Sequence, residues 1–108
     1  MKIEVTSEFE KDFKRLSKKY PSIPDDIKKF KTKLLNNPCM GVALSGGFRK
    51  IRMSITSKGK GKSGGARIIT FNYLVDTDNG KIVFVTMYDK NEQENITDTQ
   101  IKQAFKTL

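Results

Sequence analysis

Histidine is absent from this 108-residue chain, and cysteine occurs once, at Cys39. These absences exclude a Ser-His-Asp triad, a Cys-His pair and a zinc site of ordinary ligand spacing, because each needs histidine or several cysteines. A lone cysteine also excludes an intrachain disulfide, which fits a reducing compartment. The carboxylates form no obvious cluster for magnesium. Metal-free catalysis or pure binding remains, and no cofactor is predicted.

Long apolar runs are missing too. No segment approaches the ~18 to 20 apolar residues that cross a bilayer, and the amino terminus, Met-Lys-Ile-Glu-Val, lacks the apolar stretch of a signal peptide. We therefore expect a cytoplasmic protein without a membrane partner. The length predicts one domain over residues 1–108, since a chain of this size buries enough surface to fold alone but has no room for a second core.

Acidic residues are missing from the middle of the chain. The sequence has 21 Lys or Arg against 12 Asp or Glu, a net charge of +9, yet no acid lies between Asp26 and Asp76, an interval with eleven Lys or Arg. A positive field concentrated in this way attracts nucleic acid, an anionic membrane surface or an acidic protein.

The densest part of this interval is residues 49–67, with seven Lys or Arg and no acid. Three lysines there, Lys58, Lys60 and Lys62, are separated by single glycines and cannot neutralise one another. We therefore expect an open loop whose natural partner is a phosphate backbone. A P-loop is disfavoured, because the glycine spacing differs and the loop leads into a strand instead of a helix. A solvated hairpin tip is the ordinary alternative.

Apolar periodicity predicts four strands and three helices. The strands cover residues 2–5, 48–55, 67–75 and 81–88. The helices begin at a capping box of Ser7 and Glu10, at Ser22 or Ile23, and at Asn95 or Thr97, and they end at Pro21, at residues 36–38 and at Leu108. Residues 39–47 are expected to be irregular, and residues 76–80 to form a hairpin turn.

The order of these elements predicts an α+β fold, with an antiparallel β-sheet, an N-terminal helical hairpin and a C-terminal helix. The strand at 67–75 is apolar on both faces and is therefore expected at the centre of the sheet. We expect the helices to gather on one face and to leave the other face free. The predicted buried face of the second helix comprises Ile27, Phe30, Leu34 and Leu35.

Three cationic elements would meet if the strands at 48–55 and 67–75 are neighbours. Lys50 and Arg52 alternate with apolar residues on the first strand, and Arg67 opens the second. With the lysine loop they would line one concave surface, which residues after the last strand would join: Tyr88, Asp89, Lys90 and Glu92. Arginine suits phosphate oxygens and the charge that builds on them in a transition state. Without histidine, a tyrosine or a lysine crowded by other cations would have to transfer protons.

Three runs of this sequence resemble the RelE/HigB branch of bacterial type II toxins: Gly-Gly-Phe-Arg-Lys-Ile-Arg (46–52), residues 57–69 and Met-Tyr-Asp-Lys-Asn-Glu (87–92). The resemblance implies a RelE-like microbial RNase fold and a toxin held inactive by a cognate antitoxin. It also implies metal-independent cleavage of mRNA in the A site of the 70S ribosome, through attack of the ribose 2′-hydroxyl on the adjacent phosphate.

Carried over by position, the resemblance implies catalytic roles for Lys50, Arg52, Arg67, Tyr88 and Lys90. Arg49 and the loop lysines Lys58, Lys60 and Lys62 are the predicted RNA-binding residues. Asn91 stands where RelE proper has an arginine, and the catalytic tyrosine near the end of RelE has no clear match in residues 96–108. Two alternatives remain open: a ParE-like toxin that poisons DNA gyrase, and a noncatalytic RNA-binding domain.

Overall fold

The computed structural model describes residues 1–59, 61, 64–73 and 80–108. Its elements are β1 Lys2–Val5, α1 Ser7–Lys19, α2 Ile23–Asn36, β2 Val42–Ala43, β3 Phe48–Met53, β4 Ala66–Tyr73, β5 Lys81–Asp89 and α3 Asp98–Phe105. Short 3-10 turns at Ser45–Gly47 and Thr56–Lys58 flank β3. The loop lysines Lys60 and Lys62, and residues 76–79 of the predicted hairpin turn, lie outside the described residues. Among the described helices, none is both long and apolar enough to span a membrane.

The five strands form one sheet in the order β1-β5-β4-β3-β2. The pairings among β5, β4, β3 and β2 are antiparallel, whereas β1 runs parallel to β5, so the sheet is mixed. The predicted α+β class and the central position of β4 are confirmed. The prediction that residues 39–47 are irregular is wrong in part, because Val42–Ala43 pairs with Lys50 and Arg49 as an edge strand.

The N-cap of helix α1 is Thr6, one residue earlier than the predicted cap. The hydroxyl of Thr6 accepts a hydrogen bond from the amide of Phe9 at 3.0 Å and donates one to the carbonyl of Val85 at 2.6 Å. Thr6 therefore joins the helix start to β5, and the predicted capping box beginning at Ser7 is wrong. The predicted box at the start of α3 is confirmed, since the side chains of Thr97 and Gln100 satisfy each other's backbone amides.

The helices cover both faces of the sheet, so the expectation of one free face is wrong. Helices α1 and α2 pack on the face formed by Ile51, Ile68, Ile82 and Phe84. Helix α3 packs on the opposite face, against Phe48, Ile69, Val83 and Val85. The reason is visible in β4, where Ile68 and Ile69 are neighbours that point to opposite faces and are both fully buried. Each face therefore needs an apolar partner.

The buried face of α2 is close to the predicted one. Ile27, Phe30 and Leu34 are buried, and Ile23 joins them at the start of the helix. Leu35 is 43% exposed, so its predicted burial is wrong. Adjacent positions on a helix point about 100° apart, and Leu34 occupies the position that faces the sheet.

Candidate nucleic-acid interface

A row of three side chains crosses the sheet at one end of its central strands. Arg52 of β3 pairs with Arg67 of β4, which pairs in turn with Tyr88 of β5. Directly paired residues of an antiparallel ladder project from the same face. This face is the one that α3 covers, because Arg67 is two residues from Ile69 in the α3 cluster. The row brings together three of the predicted catalytic residues.

A cleft of about 400 Å³ opens beside this row. Its basic lining residues are Lys50, Arg52, Arg67 and Lys90. These are four of the five predicted catalytic residues, contributed by β3, β4 and the turn after β5. The other lining residues are Met40, Gly41, Val42, Ile51, Glu94 and Asn95. The cleft is thus a concave surface with four basic side chains and one acidic one, an arrangement that suits a phosphodiester ligand.

Arg67 is the most deeply placed cation of the cleft, with 3% of its surface exposed. Burial lowers the pKa of its guanidinium, the neighbouring charge of Arg52 lowers it further, and Tyr88 acts in the opposite direction. An arginine nevertheless stays charged in proteins. Two like charges in adjacent ladder positions repel each other, so an anion in the cleft would be attracted by both.

Tyr88 lies beneath the surface. It is 4% exposed, and in the part of the chain that the structure describes its hydroxyl has no hydrogen-bond partner. Burial raises the pKa of this hydroxyl, against a smaller lowering by Arg67. Tyr88 lines a separate cavity of about 280 Å³ between α1 and α3 and is not part of the lining of the cationic cleft. In this conformation its hydroxyl is a poor proton acceptor, and its catalytic role stays a prediction.

Lys58 is neutralised by an acid, so the expectation of an unneutralised charge is wrong for this lysine. Its side chain is 7% exposed, and its Nζ lies 2.6 Å from Oδ1 of the fully buried Asp89. Tyr20, the C-cap residue of α1, donates a hydrogen bond to the other carboxylate oxygen at 2.6 Å. A buried carboxylate needs partners of this kind, and Lys58 supplies the charge. Lys58 is therefore held by Asp89 in this structure, and its contact with RNA stays a prediction.

Asp89 carries the most perturbed carboxyl of the described residues. Burial alone would raise its pKa, but hydrogen bonds from Lys58, Tyr20 and the Asn91 amide lower the pKa to about 2. Asp89 follows Tyr88 on the strand and so points to the opposite face, toward α1.

Glu92 pairs with Arg15 of α1 at 2.9 Å. Neither Asp89 nor Glu92 lines the cationic cleft. The expectation that these two acids join the cationic surface is therefore wrong.

Arg49 binds the protein's own backbone. Its guanidinium donates to the carbonyls of Cys39, Met40 and Gly41, at 2.6, 3.1 and 3.1 Å. These contacts fix the segment that forms one wall of the cleft, which gives Arg49 a structural role. A direct contact between Arg49 and RNA stays a prediction, as do the contacts of Lys60 and Lys62.

Two polar residues of the cleft, Glu94 and Asn95, were not predicted from the sequence. Their position depends on the path of the connection between β5 and α3, for which a sequence without periodicity gives no signal. No group of three or more His, Cys, Asp or Glu side chains that could hold a metal ion occurs within the described ranges.

Comparison with protein families places nearly the whole chain in a known family. The family model described as the RelE toxin of the RelE/RelB toxin–antitoxin system matches residues 5–108, which is nearly the whole chain. The match includes every strand and helix except the start of β1, and all the residues of the cleft.

Proposed function

Since the chain belongs to the RelE family of toxins, whose partners are cognate antitoxins, we propose that it acts as a metal-independent endoribonuclease that cleaves mRNA in the ribosomal A site. The proposal includes a cytoplasmic location and a single toxin domain over residues 1–108. The observation that carries it is the cationic cleft, in which Lys50, Arg52, Arg67 and Lys90 face one concavity. A phosphodiester is the ligand class that such a set of donors fits best.

In the proposed reaction the ribose 2′-oxygen attacks the adjacent phosphorus and the bond to the 5′-oxygen breaks. Negative charge grows on the non-bridging oxygens as the phosphorane forms. Arg52 and Arg67, adjacent on the ladder, stabilise that charge. Fixed donors contribute most when they are aimed at the place where charge develops. Lys50 and Lys90 bind the neighbouring phosphates or protonate the leaving 5′-oxygen.

In this proposal Tyr88 helps to position the side chain of Arg67. It sits opposite Arg67 on β5 and is as deeply buried as the arginine. Its ring limits the space that the Arg67 side chain can occupy. A held guanidinium stabilises a transition state better than one that must be reoriented during the reaction.

The test maps mRNA 5′ ends after brief induction in cells, with and without an antibiotic that blocks translation initiation. The variants are Arg67→Ala and, because Arg67 is buried, the exposed Arg52→Ala. Loss of one transition-state donor should slow cleavage ~100-fold or more. Lys14→Ala on α1 is the matched control, since it removes a positive charge far from the cleft. Circular dichroism and antitoxin binding report whether each variant folds.

Cleavages in phase with codons that vanish in the blocked cells and in both arginine variants would support the proposal. Unchanged cleavage by folded Arg67→Ala and Arg52→Ala proteins would remove the cleft from the reaction. Intact mRNA with arrested growth would indicate a protein target such as gyrase. Intact mRNA with normal growth and retained RNA binding would indicate a noncatalytic binding domain.

A further inference from the structure

The cationic cleft contains one carboxylate among its described lining residues, that of Glu94. Glu94 is exposed, and no salt bridge of 4 Å or less engages it within the described ranges. The two acids that precede Glu94 in the sequence form salt bridges with other residues. Asp89 pairs with Lys58, and Glu92 pairs with Arg15. Glu94 is thus available to an incoming ligand in a way that Asp89 and Glu92 are not.

The short segment before α3 holds Glu94 in this position. The amides of Glu92 and Gln93 both donate to the carbonyl of Asp89, which closes a turn at the end of β5. The side chain of Gln93 then donates to the carbonyl of Asn95 at 2.7 Å. Gln93 lines the cavity between α1 and α3, whereas Glu94 lines the cleft, so the segment presents consecutive side chains to different sides.

The proposed reaction needs a group that takes the proton from the 2′-hydroxyl. The basic residues of the cleft are donors when charged, and a charged arginine or lysine has no acceptor site. Tyr88 is buried, its hydroxyl pKa is raised, and it lies outside the cleft lining. An ionised carboxylate is acceptor-only and suits this task. Of the described cleft residues, only Glu94 supplies one.

We propose that Glu94 is the catalytic base of the cleft. Its carboxylate takes the 2′-hydroxyl proton while the 2′-oxygen forms its bond to phosphorus. The bond between phosphorus and the 5′-oxygen breaks, and the 5′-oxygen takes a proton from a lysine of the cleft or from water. The products are a 2′,3′-cyclic phosphate and a 5′-hydroxyl. This inference rests on the proposed function and deepens it by naming the proton acceptor.

The test measures single-turnover cleavage of mRNA on programmed ribosomes by the full-length protein. The variants are Glu94→Gln, which keeps the shape but removes the acceptor charge, and Glu94→Asp, which keeps the charge on a shorter side chain. Glu92→Gln is the matched control two residues away, where exposed ion pairs with Arg15 and Lys19 are weakened. Binding to the programmed ribosome is measured separately for each protein.

General-base catalysis contributes ~100-fold to 10,000-fold, so Glu94→Gln should lower the cleavage rate at saturating enzyme at least ~100-fold with binding unchanged. Glu94→Asp should recover part of the rate, and Glu92→Gln should cleave like the wild type. A Glu94→Gln rate within threefold of wild type, with Arg52→Ala inactive, would overturn this inference and leave the proposed nuclease intact. Loss of ribosome binding alone would also overturn the base role. A wild-type protein that does not cleave would overturn the proposed function itself.

Discussion

The buried ion pair between Lys58 and Asp89 predicts a specific dependence of stability on pH. The pKa of Asp89 falls from its ordinary 3.8 to about 2 in the folded protein. A difference of one pKa unit between the folded and the unfolded protein corresponds to ~1.36 kcal/mol in the free energy of unfolding. The free energy of unfolding therefore contains about 2 kcal/mol from this carboxylate at neutral pH. Because the folded pKa is the lower one, this contribution is present above pH ~4 and is lost as the pH falls through ~2.

The perturbation that tests this reasoning is Asp89→Asn. At pH 7 the variant leaves the buried charge of Lys58 without its partner, and breaking such a pair costs ~3 to 5 kcal/mol. Lys58→Met in the Asp89→Asn background removes the orphaned charge and should restore part of that loss, because the methionine fills similar space without a charge.

The assay is urea denaturation of the wild type and Asp89→Asn at closely spaced pH values from 2 to 7. The difference in free energy of unfolding between the two proteins should shrink by about 2 kcal/mol as the pH falls from ~5 to ~2. Asp12 is a second buried carboxyl, whose pKa is raised by burial against hydrogen bonds from Thr86 and Met87. It is present in both proteins, so the subtraction removes its contribution. A difference that stays constant over this range would refute the assignment of the pH dependence to Asp89.

Two further predictions concern the segments around the cleft. At Gly41, φ is +86° and an added Cβ would lie 2.5 Å from the carbonyl oxygen of Lys50. At Gly59, φ is +71°, but an added Cβ would have no atom within 4 Å. Gly41→Ala should therefore lower the midpoint of urea unfolding clearly more than Gly59→Ala, and equal losses would contradict the close packing of this wall. Asp26 accepts hydrogen bonds from both the amide and the hydroxyl of Thr56. Asp26→Asn should cost ~1 to 3 kcal/mol in the same measurement, and no loss would show that this contact does not hold the start of the loop.

Much of the fold follows from local patterns, and the errors have a common origin in long-range contacts. The doubly apolar β4 was enough to predict its place at the centre of the sheet, whereas its pairing with β3 was only a condition of the predicted site, which the structure meets. The same doubly apolar β4 already required cover on both faces, which the expectation of one free face overlooked. Thr6 was passed over as the cap of α1 because its second partner, Val85, is 79 residues away in sequence.

The candidate site could likewise be predicted only in part from local patterns. Positive charges on adjacent strands had to meet once the strands were paired, and Lys50, Arg52 and Arg67 do line one cleft. The local density of positive charge gave a wrong expectation for Lys58, because the acid that neutralises it, Asp89, lies 31 residues away in sequence. Glu94 was missed because nothing in its neighbouring residues shows which side of the connection faces the cleft.

A single extra residue in β5 decides which side chains enter this site. Ile69 pairs with Thr86 and Thr70 pairs with Phe84, so Val85 is a bulge that shifts the register by one. Without it Met87 would lie opposite Arg67, and Tyr88 would turn toward α1 and α2, because a one-residue slip exchanges the faces. Asp89 would then enter the cationic cleft and leave Lys58 without its buried partner. The apolar residues of β5 occupy successive positions on both faces and give no sequence signal for the bulge, yet the bulge places Tyr88 beside Arg67 and Asp89 beside Lys58.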